Sequence, residues 1–216
     1  MSRVRPFGEG AFLVGVDGPE AAQGLRRALV AEPIDGVIGL VPGRYSLLVE
    51  FDALIADATA LEAELASRSP MPDAASRLRR IPVVYDGPDL ADVAALVGLS
   101  EAELIEAHAT GEHRVLFVGF APGFAYIGGL PEGWRIPRLA TPRTRTAAGS
   151  VAVADGMTGI YPADLPGGWR VIGRTPVTLF DPRRTPPVHL EAGDQVRFRP
   201  ISPEDWERWT GPGAEW

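Results

Sequence analysis

The stretch from residue 113 to residue 199 restricts the fold more than any other part of the chain. Its apolar segments are too short for helices and are interrupted repeatedly by Gly and Pro. Five of them have the length and composition of β-strands: HRVLFVG (113–119), SVAVA (150–154), WRVIG (169–173), VTLF (177–180) and QVRFR (195–199). Short strands at this spacing are typical of an antiparallel barrel or sandwich. The sequence therefore predicts an antiparallel β-barrel domain, which we bound at residues 78–216.

The beginning of this domain has a different pattern. RIPVVY (80–85) predicts a strand, and two helices follow it. The first helix follows Pro88 and ends at Gly98, a residue common just beyond a helix C-terminus. The second begins at Ser100, and Glu103 stands at the spacing of a capping box.

The N-terminal residues 1–77 predict a separate α+β domain. Strands are expected at 11–16, 36–41 and 44–51, with a helix after the first strand and another at 53–67. The second helix would bury a face made of Leu54, Ala58, Leu61 and Leu65. This order, β-α-β-β-α, is most of a ferredoxin-like unit, although the sequence does not identify its fourth strand. The polar segment SRSPMPDAAS (67–76) is the expected boundary.

The composition excludes several kinds of chemistry. The 216 residues include no Cys, and all 21 basic residues are Arg because Lys is absent. Disulfides, thiolate catalysis, a P-loop lysine, a Schiff-base lysine and a biotinylated lysine are therefore excluded from this chain. The net charge of −7 argues against nucleic-acid binding, and no apolar run is long enough to span a membrane. We expect a cytoplasmic protein.

Four Gly- and Pro-rich segments are expected to form loops that carry the site. They are GFAPGFAYIGGLP (119–131), TPRTRTAAGS (141–150), TGIYPADLPGGW (158–169) and GRTP (173–176). Arg143 and Arg145 would point to the same side of an extended segment, which suits a carboxylate or phosphate. Arg174 lies beside a Gly that would let backbone approach a ligand. The alternative for each Arg is a solvated charged edge.

Acid–base and metal candidates are few. Of the three imidazoles, His108 is the best general acid–base candidate, because it lies late in a helix just before the barrel strands and could reach the barrel mouth. Asp155 and Asp164 could assist or bind Mg2+, although turn chemistry alone accounts for Asp at such positions. No metal site is predicted.

The stretch FVGFAPGFAYIGGLP (117–131) is apolar, yet it has too many Gly and Pro residues to pack as a regular element. In an extended chain Phe120, Phe124 and Tyr126 would share one face. We expect this face to be covered by a partner or a substrate.

Four long motifs in order give the chain a family resemblance. RVLFVGFAPGFAYIGGLP, TPRTRTAAGSVAVA, TGIYPADLPGGWRVIGRTPVTLFDP and LEAGDQVRFRPI together resemble the family that includes the B-type subunit of the prokaryotic 5-oxoprolinase. The same family holds subunit 1 of allophanate hydrolase, the C and D subdomains of urea carboxyltransferases and KipI-type histidine-kinase inhibitors. The resemblance implies an N-terminal ferredoxin-like domain, a C-terminal cyclophilin-like β-barrel and a working site shared with a companion subunit.

The resemblance also completes the set of candidate site residues. Together with the candidates above, it gives a catalytic set of His108, Arg143 and Tyr161. The substrate-binding set is Phe120, Pro122, Gly123, Phe124, Arg145, Ser150 and Arg174. One departure concerns Met157, which stands where relatives often have a Gln that could bind substrate through its amide.

The leading function implied by the resemblance is ATP-dependent hydrolysis of 5-oxo-L-proline to L-glutamate. The reaction would need two partners, an A-type subunit and a carboxyltransferase-like C-type subunit. ATP, with or without Mg2+, would bind to this chain or to a partner. Two alternatives stay open: a carboxyltransferase component of a urea- or allophanate-type amidolyase, and a non-catalytic inhibitor of a histidine kinase. Prolyl isomerase activity would rest on the barrel fold alone.

Overall fold

A computed structural model of the chain describes residues 3–72 and 76–209. The chain divides into two units, Met1–Ser76 and Arg77–Trp216. Residues 73–75 of the expected boundary segment lie outside the described residues. Within the described residues, none of the helices combines the length and the apolar character that crossing a bilayer would require.

The N-terminal unit contains a four-stranded antiparallel sheet and two helices. Its elements are β1 (Arg3–Pro6), β2 (Ala11–Gly15), α1 (Pro19–Ala31), β3 (Val37–Pro42), β4 (Ser46–Phe51) and α2 (Ala58–Ser67). The strand order is β1-β2-β4-β3. The strand that completes the sheet, β1, precedes the first predicted strand instead of following α2. The ferredoxin-like assignment therefore stays a prediction, while a mixed α/β fold is what the structure shows.

The core of this unit follows the alternation of its strands. Phe12 and Val14 on β2 pack with Leu47 and Val49 on β4, and all four are buried. The helices contribute Leu25, Leu29, Leu61 and Leu65. The predicted start of the second helix is wrong, because α2 begins only after Asp57, whose carboxylate accepts hydrogen bonds from two backbone N–H groups. Leu54 precedes this cap and is 96% exposed.

The C-terminal unit is built on a seven-stranded, nearly closed sheet. Its elements are β5 (Leu78–Val83), α3 (Leu90–Val97), α4 (Glu101–Thr110), β6 (His113–Val118), β7 (Ala125–Gly128), β8 (Arg143–Thr146), β9 (Ser150–Ala154), β10 (Met157–Ile160), β11 (Leu165–Gly167), β12 (Arg170–Arg174) and β13 (Gln195–Pro200). The order in the sheet is β12-β9-β10-β7-β6-β13-β5, and β8 pairs with β11 separately. Val84 and Arg174 exchange two backbone hydrogen bonds of 2.9 Å, which join the two ends of the sheet.

The two helices of this unit have the predicted termini. Gly98 ends α3 in the left-handed conformation, with φ of 73°. At the start of α4, the Ser100 hydroxyl accepts from the Glu103 N–H while the Glu103 carboxylate accepts from the Ser100 N–H. This reciprocal pair is the capping box that the sequence predicts.

Three expectations about the strands are wrong. The sheet is not wholly antiparallel, because β13 pairs in parallel with β5. The Gly- and Pro-rich segments are not simply loops, because they contain β7, β8, β10 and β11. VTLF is not a strand, and only Phe180 at its end forms an isolated bridge, to Val188. Pro176 and Pro186–Pro187 flank this region, and proline has no N–H to contribute to a strand ladder.

Candidate functional site

Two of the four Gly- and Pro-rich segments, 119–131 and 158–169, supply a group of aromatic side chains that pack together. Phe124 lies at its centre and is 2% exposed. Phe120, Tyr126, Tyr161 and Trp169 contact its ring edge to face, at centroid distances of 5.3, 5.0, 5.4 and 5.8 Å respectively. We call these five rings, with Phe117 stacked on Tyr126, the aromatic cluster.

Phe120 is the exposed member of this cluster. The Ala121 N–H donates to the Gly119 carbonyl across it at 2.8 Å, and its φ is +71°. This is a γ-turn with positive φ, the rarer and more strained of the two γ-turn forms. The turn holds the ring 60% exposed at the surface of the cluster. Positive φ in a bulky residue is uncommon and is often found at functional sites.

The expectation that Phe120, Phe124 and Tyr126 share an exposed face is wrong for Phe124. The loop closes on itself, because the Phe124 N–H donates to the Ala121 carbonyl and the Gly119 N–H donates to the Phe124 carbonyl. This closure turns the Phe124 ring inward, where it contacts protein side chains. A direct substrate contact by Phe124 stays a prediction.

Arg143 lies at the start of β8 and is held by a buried carboxylate. Its Nη2 donates to Asp89 Oδ1 at 2.7 Å, and its Nη1 is 3.5 Å from the Trp169 carbonyl. The side chain of Asp89 is 7% exposed and that of Arg143 is 30% exposed. Arg143 is therefore not a free surface cation, although part of its guanidinium reaches solvent next to Trp169.

Arg145 and Arg174 are also paired with carboxylates. Arg145 Nε donates to Asp164 at 2.9 Å, and Asp164 also accepts from the Ala148 N–H. The Ala148 N–H first, and then Arg145, lower the pKa of Asp164. Arg174 Nε donates to Asp86 at 2.9 Å. The side chains of both pairs are between 42% and 75% exposed, so a competing anion could displace the aspartates more easily than at a buried pair.

Tyr161 lies in the cluster next to the buried hydroxyl of Thr146. Burial raises the pKa of the Tyr161 phenol, and the Trp169 backbone and the Thr146 hydroxyl partly offset this effect. The buried Thr146 hydroxyl nevertheless makes no hydrogen bond of ordinary geometry within the described residues. Gly167 leaves room for the phenol, because a Cβ there would lie 2.1 Å from the Tyr161 oxygen.

His108 lies inside the barrel with no exposed surface. Its Nδ1 is 2.7 Å from the Tyr85 hydroxyl and its Nε2 is 3.1 Å from Thr158 Oγ1, which donates to the Ala152 carbonyl. The bonds are consistent when Tyr85 donates to Nδ1 and Nε2–H donates to Thr158, which requires a neutral imidazole. Burial, and then the nearby His113, lower the pKa of His108 well below its usual value.

The expected reach of His108 to the barrel mouth is therefore wrong, because the ring contacts only interior groups. Its acid–base role stays a prediction that this geometry does not support.

The remaining predicted site residues lie at the edges of the cluster. Pro122 is exposed, whereas Gly123 and Ser150 are buried. Gly123 has φ of +84°, and a Cβ there would lie 2.7 Å from the Phe180 Cβ. Gly123 is therefore needed for the close packing of this loop against Phe180. Ser150 begins β9 opposite Arg174, and its carbonyl accepts from the Tyr161 N–H.

The described residues do not supply an obvious site for a metal or a triphosphate. Between residues 3 and 72 and between 76 and 209, no three His, Asp or Glu side chains lie close enough together to hold a metal ion. The three arginines predicted to bind anions each have an aspartate partner. These residues therefore do not fit a triphosphate, and ATP binding stays a prediction.

Sequence reasoning missed two residues of this region. Asp89 has the pattern of an ordinary helix N-cap, and nothing local shows that its carboxylate turns to Arg143. Arg138 lies near two tyrosines of the cluster, since its charge acts to lower the pKa of both Tyr126 and Tyr161. Its place in the sequence, directly after GWRIP (133–137), does not indicate that it lies near these tyrosines.

The chain matches the family model described as "Carboxyltransferase domain, subdomain C and D" over residues 2–190. It is 40% identical over 212 residues to the 5-oxoprolinase B subunit of Escherichia coli O157:H7, covering 93% of this chain and 97% of that protein. It is 35% identical to the 5-oxoprolinase B subunit of Bacillus subtilis strain 168, with coverage of 94% and 95%.

Solved structures show the same fold. The crystal structure of TTHA0988 matches 94% of this chain with a TM-score of 0.77 and 35% identity, and this chain spans 40% of that longer chain. The Kluyveromyces lactis urea amidolyase matches 97% of this chain with a TM-score of 0.79 at 21% identity, covering 15% of that protein. The second likeness shows the fold alone.

Proposed function

Because the chain belongs to the carboxyltransferase domain, subdomain C and D family, we propose that it is the B-type subunit of an ATP-dependent 5-oxoprolinase. In this proposal it acts in the cytoplasm and hydrolyses 5-oxo-L-proline to L-glutamate together with companion subunits of the A and C types. The N-terminal unit would be a ferredoxin-like variant and the C-terminal unit a cyclophilin-like barrel. The observation that carries the proposal is the near-full-length similarity to proteins named as the B subunit of 5-oxoprolinase.

The chemistry of the reaction suits a site built for binding. A lactam is unreactive, and ATP would activate it by phosphorylating the amide oxygen with release of ADP, after which water adds to the activated carbon and the ring opens with release of phosphate. The chain would bind and orient the substrate, with a cation for its carboxylate and aromatic surface for its ring. Arg143 beside Trp169 and the exposed Phe120 supply these groups.

The geometry also supports a site shared between subunits. Among residues 3–72 and 76–209, His108 is enclosed and the three candidate arginines are paired with aspartates. None of these groups is poised as a nucleophile or a general base. We place the ATP site and the proton-transfer groups on a companion subunit or at the interface with it.

Reconstitution tests this proposal. The purified chain alone, given ATP and 5-oxoproline, is expected to release no glutamate, whereas the complex with both companion subunits should release glutamate and ADP. Glutamate release by the isolated chain would contradict the shared site. A well-folded complex that converts no 5-oxoproline would contradict the proposed activity.

The carboxyltransferase and kinase-inhibitor alternatives are not favoured by any specific contact in the described residues. The likeness to urea amidolyase concerns the fold.

A further inference from the structure

Asp89 differs from the other two polar residues that stand at the N-caps of α-helices in the described part of the chain. Asp57 and Ser100 use their side chains to cap the helices that they begin. Asp89 stands at the same position before α3, but its carboxylate makes no capping hydrogen bond. An N-cap aspartate normally contributes about 1 kcal/mol through that bond, so its carboxylate has another use here.

Both oxygens of this carboxylate bind other elements. Oδ1 accepts from Arg143 Nη2 at 2.7 Å, and Oδ2 accepts from the Val171 N–H at 2.6 Å. Asp89 therefore connects the start of α3 to β8 and β12. Because the carboxylate is buried and its other oxygen is held by Val171, it provides a fixed anchor for the Nη2 end of the Arg143 guanidinium.

This fixed geometry distinguishes Arg143 from the other two candidate arginines. The aspartates that pair with Arg145 and Arg174 are 44% and 42% exposed, whereas Asp89 is 7% exposed. The Arg143 side chain is itself 30% exposed. One edge of its guanidinium is thus anchored in the interior, while the other edge keeps N–H donors that no described residue accepts at normal distance.

The surroundings of Arg143 suit a small carboxylate ligand. Arg143 pairs with Gly167 in the ladder between β8 and β11, and Gly167 lies against the Tyr161 phenol. The buried hydroxyl of Thr146 lies near the same phenol, but it is three positions from Arg143 in β8 and so belongs to the opposite face of the strand. The guanidinium itself lies beside the Trp169 carbonyl, so a bound carboxylate would meet a preformed cation next to the aromatic cluster.

We propose that Asp89 is a positioning residue that holds Arg143 so that its free N–H groups receive the carboxylate of 5-oxoproline. This inference rests on the proposed function and names the group that recognises the substrate. Binding of the carboxylate contributes equally to the ground state and the transition state, so its loss should raise KM and leave kcat nearly unchanged.

The test uses the complex of the chain with its companion subunits. We would measure kcat and KM for 5-oxoproline, inhibition by 2-pyrrolidinone, which is the same lactam without the carboxylate, and the Tm. The variants are Asp89→Asn, Arg143→Gln and the double variant. The matched control is Asp194→Asn, since Asp194 is also buried and accepts from Arg77, Arg79 and the Glu191 N–H on the β13 side of the unit.

Each single variant is expected to raise KM roughly 10- to 100-fold, with the inhibition constant of 2-pyrrolidinone unchanged. The double variant should raise KM no further than Arg143→Gln alone, because Asp89 acts through Arg143. Asp194→Asn should lower Tm and leave KM unchanged.

Three results would overturn the inference. They are an unchanged KM in Arg143→Gln, an unchanged KM in a folded Asp89→Asn, and KM effects that multiply in the double variant. The Arg143→Gln result decides the matter even where Asp89→Asn does not fold. If the wild-type complex binds 5-oxoproline without converting it, the proposed activity fails, and the same comparison is made with Kd. If it binds no 5-oxoproline, both proposals fail.

Discussion

Replacing Phe124 by alanine tests whether the aromatic cluster stabilises the folded chain or binds a companion subunit. Phe124 is 2% exposed and contacts four other rings at centroid distances between 5.0 and 5.8 Å. A buried Phe→Ala change typically costs about 3–5 kcal/mol, because it removes apolar contacts and leaves a cavity. For a chain of this length, such a loss lowers Tm by roughly 10 °C.

Phe120→Ala is the matched control. It removes the same side chain from the same loop, but Phe120 is 60% exposed, and alanine would keep the same positive φ. The expected loss is therefore below about 1 kcal/mol. Urea denaturation at a fixed neutral pH and a thermal melt on the isolated chain measure both variants, and co-purification with the companion subunits measures partner binding.

The reasoning would be refuted if the free energy of unfolding of Phe124→Ala lay within about 1 kcal/mol of the wild-type value. Equal losses in the two variants would also refute it, because burial would then not distinguish the rings. If only Phe124→Ala is destabilised and its folded fraction binds the companion subunits normally, the ring belongs to the core.

Three further results are expected. Burial lowers the pKa of His189 to about 4, below its unfolded value, so its contribution to stability is full above about pH 6.5, and about 3 kcal/mol is lost as pH falls from there through 4. His189→Gln should reduce this dependence in urea denaturation, and the part due to His108 and His113, whose pKa values burial also lowers, should remain. Gly167→Ala should lower the free energy of unfolding by about 1–3 kcal/mol, because a Cβ there would lie 2.1 Å from the oxygen of Tyr161. Gly119→Ala is the control in the same assay and should change it little, because a Cβ at that position meets nothing within 4 Å. Arg143→Ala should lower the free energy of unfolding by about 3–5 kcal/mol, because it leaves the buried carboxylate of Asp89 unpaired. Arg145→Ala should lower it by at most about 1 kcal/mol, because its partner Asp164 is exposed, and equal melting points of the two variants would contradict this difference.

Features encoded by neighbouring residues could be predicted from the sequence. The capping box of α4 needs only Ser100 and Glu103, and the end of α3 needs only Gly98. The apolar strands β6, β9, β12 and β13 could likewise be predicted from composition and spacing. Local signals of this kind do not depend on the rest of the fold.

Features that depend on tertiary contacts could not be predicted from the sequence. The strand β1 has the sequence RVRP, which carries one apolar side chain and a proline, and only its pairing with β2 makes it a strand. Gly159 lies inside β10, where Phe124 and Trp169 leave little room for a Cβ. The same limit applies to Asp89, because its partners Arg143 and Val171 lie 54 and 82 positions away.

The position of β13 has a consequence for the order in which the chain can fold during its synthesis. In the sheet, β13 lies between β5 and β6 and pairs in parallel with β5. The strand partner of Leu78 is Gln195, so β5 cannot pair until the ribosome has made β13. A ribosome delivers residues at about 5–20 per second, so β5 spends several seconds without this neighbour. The N-terminal sheet, in contrast, has all four of its strands by Phe51.

During that interval the backbone of β5 is an unpaired edge, and such edges are sites where other chains can add a strand. A nascent chain that stalls before residue 195 would thus leave β5 without its strand partner and open to association. We expect stop codons placed before β13 to give more aggregated protein than the full-length chain gives.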